Sequence, residues 1–227
     1  MIFYDKKQAI RMCKRDPKII FELINEKYTS VVGEIINSNK DIINLCDDSG
    51  NNVMMNLLFK KEYDLLLKCV KYKNWKINYQ NKDGNTFTHL LITHDYLRII
   101  KILDQIKKNK KFIPNIRNNN KETILDMAIK SEKLCGVNKI LEDKRFNDID
   151  IVSFKFLFDK YINNSYYGKY SKLNNLELVI NNLDKKEKLK PRMKKILNFI
   201  KNNIDIIKSD LLKNNSNYLD KFLETLL

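Results

Sequence analysis

The feature that most constrains this chain is a repeat with a period in the low thirties. The stretch Ile77-Asn78-Tyr79-Gln80-Asn81-Lys82-Asp83-Gly84-Asn85-Thr86-Phe87-Thr88-His89-Leu90-Leu91 joins a turn of Asn, Asp and Gly to an apolar segment opened by a helix-capping residue. The same skeleton stands 34 residues earlier, as Ile43-Asn44-Leu45-Cys46-Asp47-Asp48-Ser49-Gly50-Asn51. It restarts at Asn118-Asn119-Asn120-Lys121-Glu122-Thr123-Ile124-Leu125-Asp126-Met127-Ala128, and Phe112 and Phe146 are again 34 apart. A fixed period of this length implies stacked supersecondary units, because a single unit cannot bury its apolar face alone.

Each unit reads as a polar turn, a helix, a short connection and a second helix. Asp16-Pro17 reads as an N-cap followed by proline at the first helical position. Ile19, Ile20, Leu23 and Ile24 follow at helical spacing, then Val31-Val32-Gly33-Glu34-Ile35-Ile36. The second unit carries Val53, Met54, Leu57 and Leu58, then Tyr63, Leu65, Leu66, Leu67, Cys69 and Val70, closed by Trp75 and Ile77. The third carries Phe87, Leu90 and Leu91, then Leu97, Ile99, Ile100, Ile102, Leu103 and Ile106. The fourth carries Ile124 to Ala128, then Leu134, Cys135, Val137, Ile140 and Leu141. After Asp150 the period is lost, although helical patterns persist at 152–162, 173–180, from Pro191, at 204–212 and at 218–226.

These units resemble ankyrin repeats, whose first helix opens on T-P-L-H-x-A. Thr86 and His89 fall on the Thr and His of that pattern, and Thr123, Leu125 and Ala128 on its Thr, Leu and Ala. Gly50 and Gly84 fall on the turn glycine, where a positive φ favours Gly. The departures are Asn52 for Thr, Lys121 for Gly, Asp126 for His, and Val53, Phe87 and Ile124 for the proline. The fold class expected is all-α: an ankyrin-like helical repeat solenoid with short hairpin loops and a helical C-terminal cap. The expected organisation is an N-terminal helix at 1–16, about four divergent repeats at 17–152, and a cap or degenerate repeats at 153–227. Exposed ends of a repeat stack need such a cap; a separate helical extension with its own partner is the alternative.

A formal charge of +15 raises nucleic acid as a partner. Yet Lys outnumbers Arg 37 to 6, Asn occurs 30 times and Ala twice. That bias is what an AT-rich genome writes on free surface positions, whereas phosphate and base-edge sites lean on the fork of Arg. The run from Lys185 through Lys195 reads as a solvated linker between helices. The N-terminus meets charge before any apolar run, which suggests no signal peptide, and no run approaches a membrane span. Cys13, Cys46, Cys69 and Cys135 lie among aliphatic residues as small hydrophobes would, in keeping with a reducing compartment.

Catalytic chemistry has little to stand on. The histidines are His89, at a structural repeat position, and His94, in a turn. No zinc, P-loop or nucleophile-elbow motif is present, so neither an enzyme, a cofactor, a metal nor a small-molecule substrate is expected. The resemblance implies instead a protein partner contacting hairpin tips and the concave ends of the first helices. The tips are Asp48, Ser49 and Asn51; Lys82, Asp83 and Asn85; and Asn119, Asn120 and Glu122. The concave positions are Phe59 and Lys60, Thr93 and His94, and Lys130 and Ser131. Phe59 is the apolar residue among them, either a surface anchor or core if its helix is rotated. Tyr166 and Tyr167 offer a further aromatic surface or pack under the cap. The function expected is a non-enzymatic interaction module, an adaptor or a host-factor-binding inhibitor, in the style of ankyrin proteins of large DNA viruses. The expected setting is intracellular, in host cytoplasm or nucleus if viral. The alternative is a basic, nucleic-acid-associated subunit of a larger assembly.

Overall fold

A computed structural model describes residues 5–94, 96–131, 134–146, 149, 151–162, 169–186, 189–213 and 217–225. Among them the secondary structure is helical, with two isolated antiparallel bridges, Cys46 with Asn52 and Gln80 with Thr86, at the turns. The chain divides into two compact units. One holds the chain through Phe112 with Arg117–Lys121, the other Ile113–Ile116 with the chain from Glu122 on.

In the first unit α1 (Lys6–Arg15) precedes three helix pairs: α2 (Ile19–Asn25) with α3 (Thr29–Ser38), α4 (Val53–Phe59) with α5 (Tyr63–Cys69), and α6 (Phe87–Leu91) with α7 (Tyr96–Lys107). Helix α4 packs on both α2 and α6, and α5 packs on α7, so successive pairs lie side by side. Ile20, Leu23 and Ile24 of α2, Val53, Met54, Met55, Leu57 and Leu58 of α4, and Phe87 and Leu91 of α6 form the continuous core. Helices of five to seven residues are marginal by themselves, so this shared apolar seam is what holds them. Trp75 and Phe87 close it edge to face, with ring centroids 5.3 Å apart.

Two local details differ from the sequence expectation. Helix α2 starts at Ile19, two residues past Pro17, because Asp16 forms a turn first. Its Oδ1 accepts from the Lys18 amide at 2.9 Å and its carbonyl from Ile19 at 3.2 Å. The second is a 3-10 turn at Lys40–Asn44, after α3, which buries Ile42 and Ile43 where the pattern marked no helix.

In the second unit α8 (Ile124–Lys130) pairs with α9 (Leu134–Leu141). Next come α10 (Ile151–Leu157), prolonged by a π-helical turn at Phe158–Ile162, and α11 (Lys169–Asp184). Helix α10 packs on α8 and α11 packs on α9, the same neighbour relations that α6 and α7 have to α4 and α5. The packing therefore repeats once more after the sequence pattern has gone. Then α12 (Pro191–Asn202), α13 (Ile204–Leu212) and α14 (Asn217–Glu224) follow. Pro191 stands in the first turn of α12 as expected, and Phe199 stacks on Tyr218 and Phe222.

The basic run from Lys185 is not uniformly solvated. Lys186 is buried, and its Nζ donates to the carbonyls of Leu141 (2.7 Å) and Asp143. It lies 5.8 Å from the Phe146 ring centroid. A lysine reaching the open carbonyls at the end of α9 satisfies groups the helix cannot and meets the negative end of its dipole.

Candidate interaction surface

The first helices are positioned by three versions of one N-terminal cap. In α6 the Thr86 Oγ1 accepts from the His89 amide (3.4 Å), and His89 Nδ1 accepts from the Thr86 amide (3.2 Å). Thr86, Thr88 and His89 are all buried, and the two hydroxyls lie 2.8 Å apart. His89 is thus a packed capping group. In α8 Asp126 takes the same position: its Oδ2 accepts from the Thr123 amide and hydroxyl, both at 2.8 Å. Asp126 Oδ1 accepts from Ser153 of α10. A carboxylate also suits the positive end of a helix, so Asp for His preserves the reciprocal cap. In α4 Asn52 Oδ1 accepts from the Met55 amide at 3.0 Å without the reciprocal bond, since the Met55 side chain has no oxygen or nitrogen acceptor to return. Asn56 ties this helix to the turn by donating to Asp47 Oδ2 at 2.8 Å.

The turns ahead of these helices are tied to one another. Asp47 Oδ1 accepts from the amides of Ser49 and Asn51, both at 2.9 Å. Asn81 Oδ1 accepts from Asp83 and Asn85, and Asn118 Oδ1 from Asn120. The Asn81 amide donates to Asn51 Oδ1 at 2.8 Å, and the Asn118 amide to Asn85 Oδ1 at 3.0 Å. Asn119 donates to the Lys82 carbonyl at 2.9 Å, its backbone amide to Asp83 O at 3.0 Å, and Lys82 Nζ to Asp48 O. Asn51, Asn85, Lys82 and Asn119 therefore hold neighbouring turns together as well as standing near the surface. The recurrence of Asp47, Asn81 and Asn118 at one point of the period was the legible signal for this ladder; its cross-turn bonds were not.

Asp48, Ser49, Lys82, Asp83, Asn119, Asn120 and Lys130 are exposed, and Glu122 is half-buried beneath an ion pair with Lys130. Gly50, Gly84, Thr123, Leu125 and Ala128 are buried. Phe59, at the end of α4, is 42% exposed while every other apolar residue of that helix is buried. His94, 35 residues on, lies beside it: the ring centroids are 6.5 Å apart and tilted by 47°. Lys60 is half-buried, Thr93 exposed, and Ser131 half-buried with its hydroxyl donating to Met127 O. Tyr166 and Tyr167 lie outside the described residues.

Among the described residues no cluster of His, Cys, Asp and Glu could hold a metal ion. None of the described helices is long and apolar enough to cross a membrane. Burial pushes the Cys69 thiol up to about 12 and the Cys13 thiol in the same direction, which makes both poor nucleophiles.

No family model matches the chain. The chain is similar to a protein of Acanthamoeba polyphaga mimivirus whose name is that of an ankyrin repeat protein, 38% identical over 103 residues. The match covers 41% of this chain and spans 13% of that protein's length. It suggests an ankyrin-repeat relationship for part of the chain.

Proposed function

We propose that this chain is a non-enzymatic protein-binding module built from divergent ankyrin-type repeats, acting as an adaptor or as an inhibitor that occupies a partner's surface. The turn–helix–helix pairs, the 34-residue steps between the starts of α2, α4 and α6, and the partial likeness to a protein named for ankyrin repeats support the fold half of this reading. The packing of α10 and α11 supports a degenerate repeat, with α12 to α14 beyond it as the cap.

The observation that carries the functional half is Phe59. An aromatic ring left 42% exposed at the end of an otherwise buried helix face, beside His94, is the kind of rigid anchor that dominates interfaces. With it we group Asp48, Ser49, Asp83 and Asn120, exposed at the turns, as the polar contacts of the same proposed surface.

The test is affinity capture from host cells with the native chain, Phe59→Ala and Phe59→Asp, each checked for an unchanged melting temperature. Truncating a true anchor weakens the complex by roughly thirtyfold or more. Recovery of the same proteins in the same amounts by all three would overturn the reading. The nucleic-acid alternative has less support. Arg145 is held on both oxygens of Asp143 (3.1 and 2.8 Å), Arg98 lies over the Tyr63 ring, and Arg117 donates to Lys121 O, so half of the six arginines are engaged within the chain.

A further inference from the structure

Several surface lysines pair with carboxylates: Lys6 with Glu34, Lys139 with Glu142, Lys201 with Asp184, Lys208 with Glu177. Another set behaves differently. Two adjoining clefts, of about 450 and 340 Å³, open between the loop after α5 and the end of α7 with its following loop. Lys71, Lys73, Lys76, Lys108, Lys110 and Lys111 line them, all exposed, and Lys73 and Lys111 line both. No Asp or Glu occurs in 65–82 or 105–121.

The cleft walls are held by side-chain amides, one of them bonded to the carboxylate of Asp41. Asn44 donates to Asn74 O at 3.0 Å and accepts from the Lys76 amide at 2.8 Å. Asn74 donates to Asp41 Oδ1 and Asn78 to Lys111 O, both at 2.6 Å. Asn109 Oδ1 accepts from the Lys111 amide at 2.9 Å. With the amides committed to the walls, the ammonium groups are what a ligand meets.

The walls also discriminate among anions. They contain no arginine, hence no planar fork for bidentate recognition. A single nucleic-acid strand would send bases into one wall and needs aromatic faces there. Of the aromatic residues that line the clefts, Trp75 is buried, and the Tyr72 ring already carries the Lys40 ammonium 5.2 Å from its centroid, its hydroxyl bonded to Asn37. Tyr79 is half-buried, with its hydroxyl donating to Gly50 O at 3.0 Å. An extended peptide instead turns successive side chains to opposite sides. Lysines on both loops then meet carboxylates from both faces of the chain.

We propose that this cleft binds an extended Asp/Glu-rich segment of a partner protein, centred on Lys73 and Lys111. This surface is distinct from the Phe59 region and does not rest on it.

The test is fluorescence anisotropy of a short labelled Glu/Asp peptide with the full chain in moderate salt. Saturable binding is expected, weakened roughly tenfold by Lys73→Gln with Lys111→Gln. The control pair Lys194→Gln with Lys195→Gln removes the same charge from exposed positions of α12 and is expected to leave affinity within about twofold, as diffuse charge is screened by salt. Phe59→Ala is expected to bind the peptide as the native chain does. Equal weakening by both lysine pairs, no saturable binding, or tighter binding of a single-stranded oligonucleotide of matched charge that displaces the peptide would each overturn the proposal.

Discussion

At Gly84 two separate demands fall on one residue. Its φ of +74° lies in the left-handed region, and an added Cβ would sit 2.4 Å from Asn119 Oδ1 and 2.6 Å from the Asn119 amide nitrogen. Gly50 has nearly the same φ, +75°, yet its Cβ would come no closer than 3.1 Å, to Lys82. Gly84→Ala should therefore cost about 2 kcal/mol or more and Gly50→Ala about 1 kcal/mol. Urea unfolding of both variants checks this, and equal losses would contradict the close approach of the turns. Lys27, Lys61 and Lys121 also have positive φ, 60° to 62°. Lys121 was visible as a substitution for the turn glycine, whereas the other two stand where no motif marked them. Cys69 gives a pH expectation. Its folded thiol is held near 12 by burial against an ordinary value of 9.0, so the folded state keeps the proton that the unfolded state releases. That contribution to stability is fully present below about pH 9 and is lost as pH rises from there towards about 12. Melting temperatures measured from neutral to alkaline pH should fall more steeply in the native chain than in Cys69→Ala.

For the single helix, capping decides more than propensity. Helix α6 has five residues and α8 seven, too short to persist without tertiary contacts. Their reciprocal caps satisfy first-turn amides that would otherwise be buried without partners. Thr86→Val keeps the shape and removes the hydroxyl that serves the His89 amide and lies beside Thr88, and should cost about 1–2 kcal/mol. Thr123→Val should cost a similar amount, because Asp126 Oδ2 and the Asp126 amide both lose the hydroxyl. Thermal unfolding reads both, and a neutral Thr123→Val would mean the Asp126 cap is not equivalent to the His89 cap. Sequence pattern located these helix starts because the cap residue must sit in a fixed register with the first turn. It could not show that Asp126 performs the work of His89, since that equivalence lies in where a side-chain oxygen points.

For the whole molecule, charge governs the behaviour of everything outside the core. A net +15 repels itself in the compact state, and the repulsion extends about 30 Å at 0.01 M salt but about 8 Å at 0.15 M. Raising salt across that range should raise the melting temperature. A flat or falling response would mean that the ion pairs, such as Lys201 with Asp184 and Lys208 with Glu177, outweigh the net repulsion. The same basic bias hid Lys186 inside a run that reads as solvated linker. Whether a lysine is linker or cap depends on the carbonyls that the fold delivers to it, here those of Leu141 and Asp143.

The sequence by itself determined the helical content, the 34-residue steps and the cap positions Thr86 and Thr123, because each is read along the chain without knowing which elements pack together. Periodicity, a capping side chain and a left-handed glycine act within a few residues of one another. Only the tertiary structure decided that Asn51 and Asn85 accept from Asn81 and Asn118, since those bonds join residues about one period apart. It also decided that Phe59 is exposed and stands by His94, a matter of how far α4 is rotated about its axis. The loops after α5 and α7 are separated by more than thirty residues, and their lysines line one cleft only once the helix pairs are packed side by side.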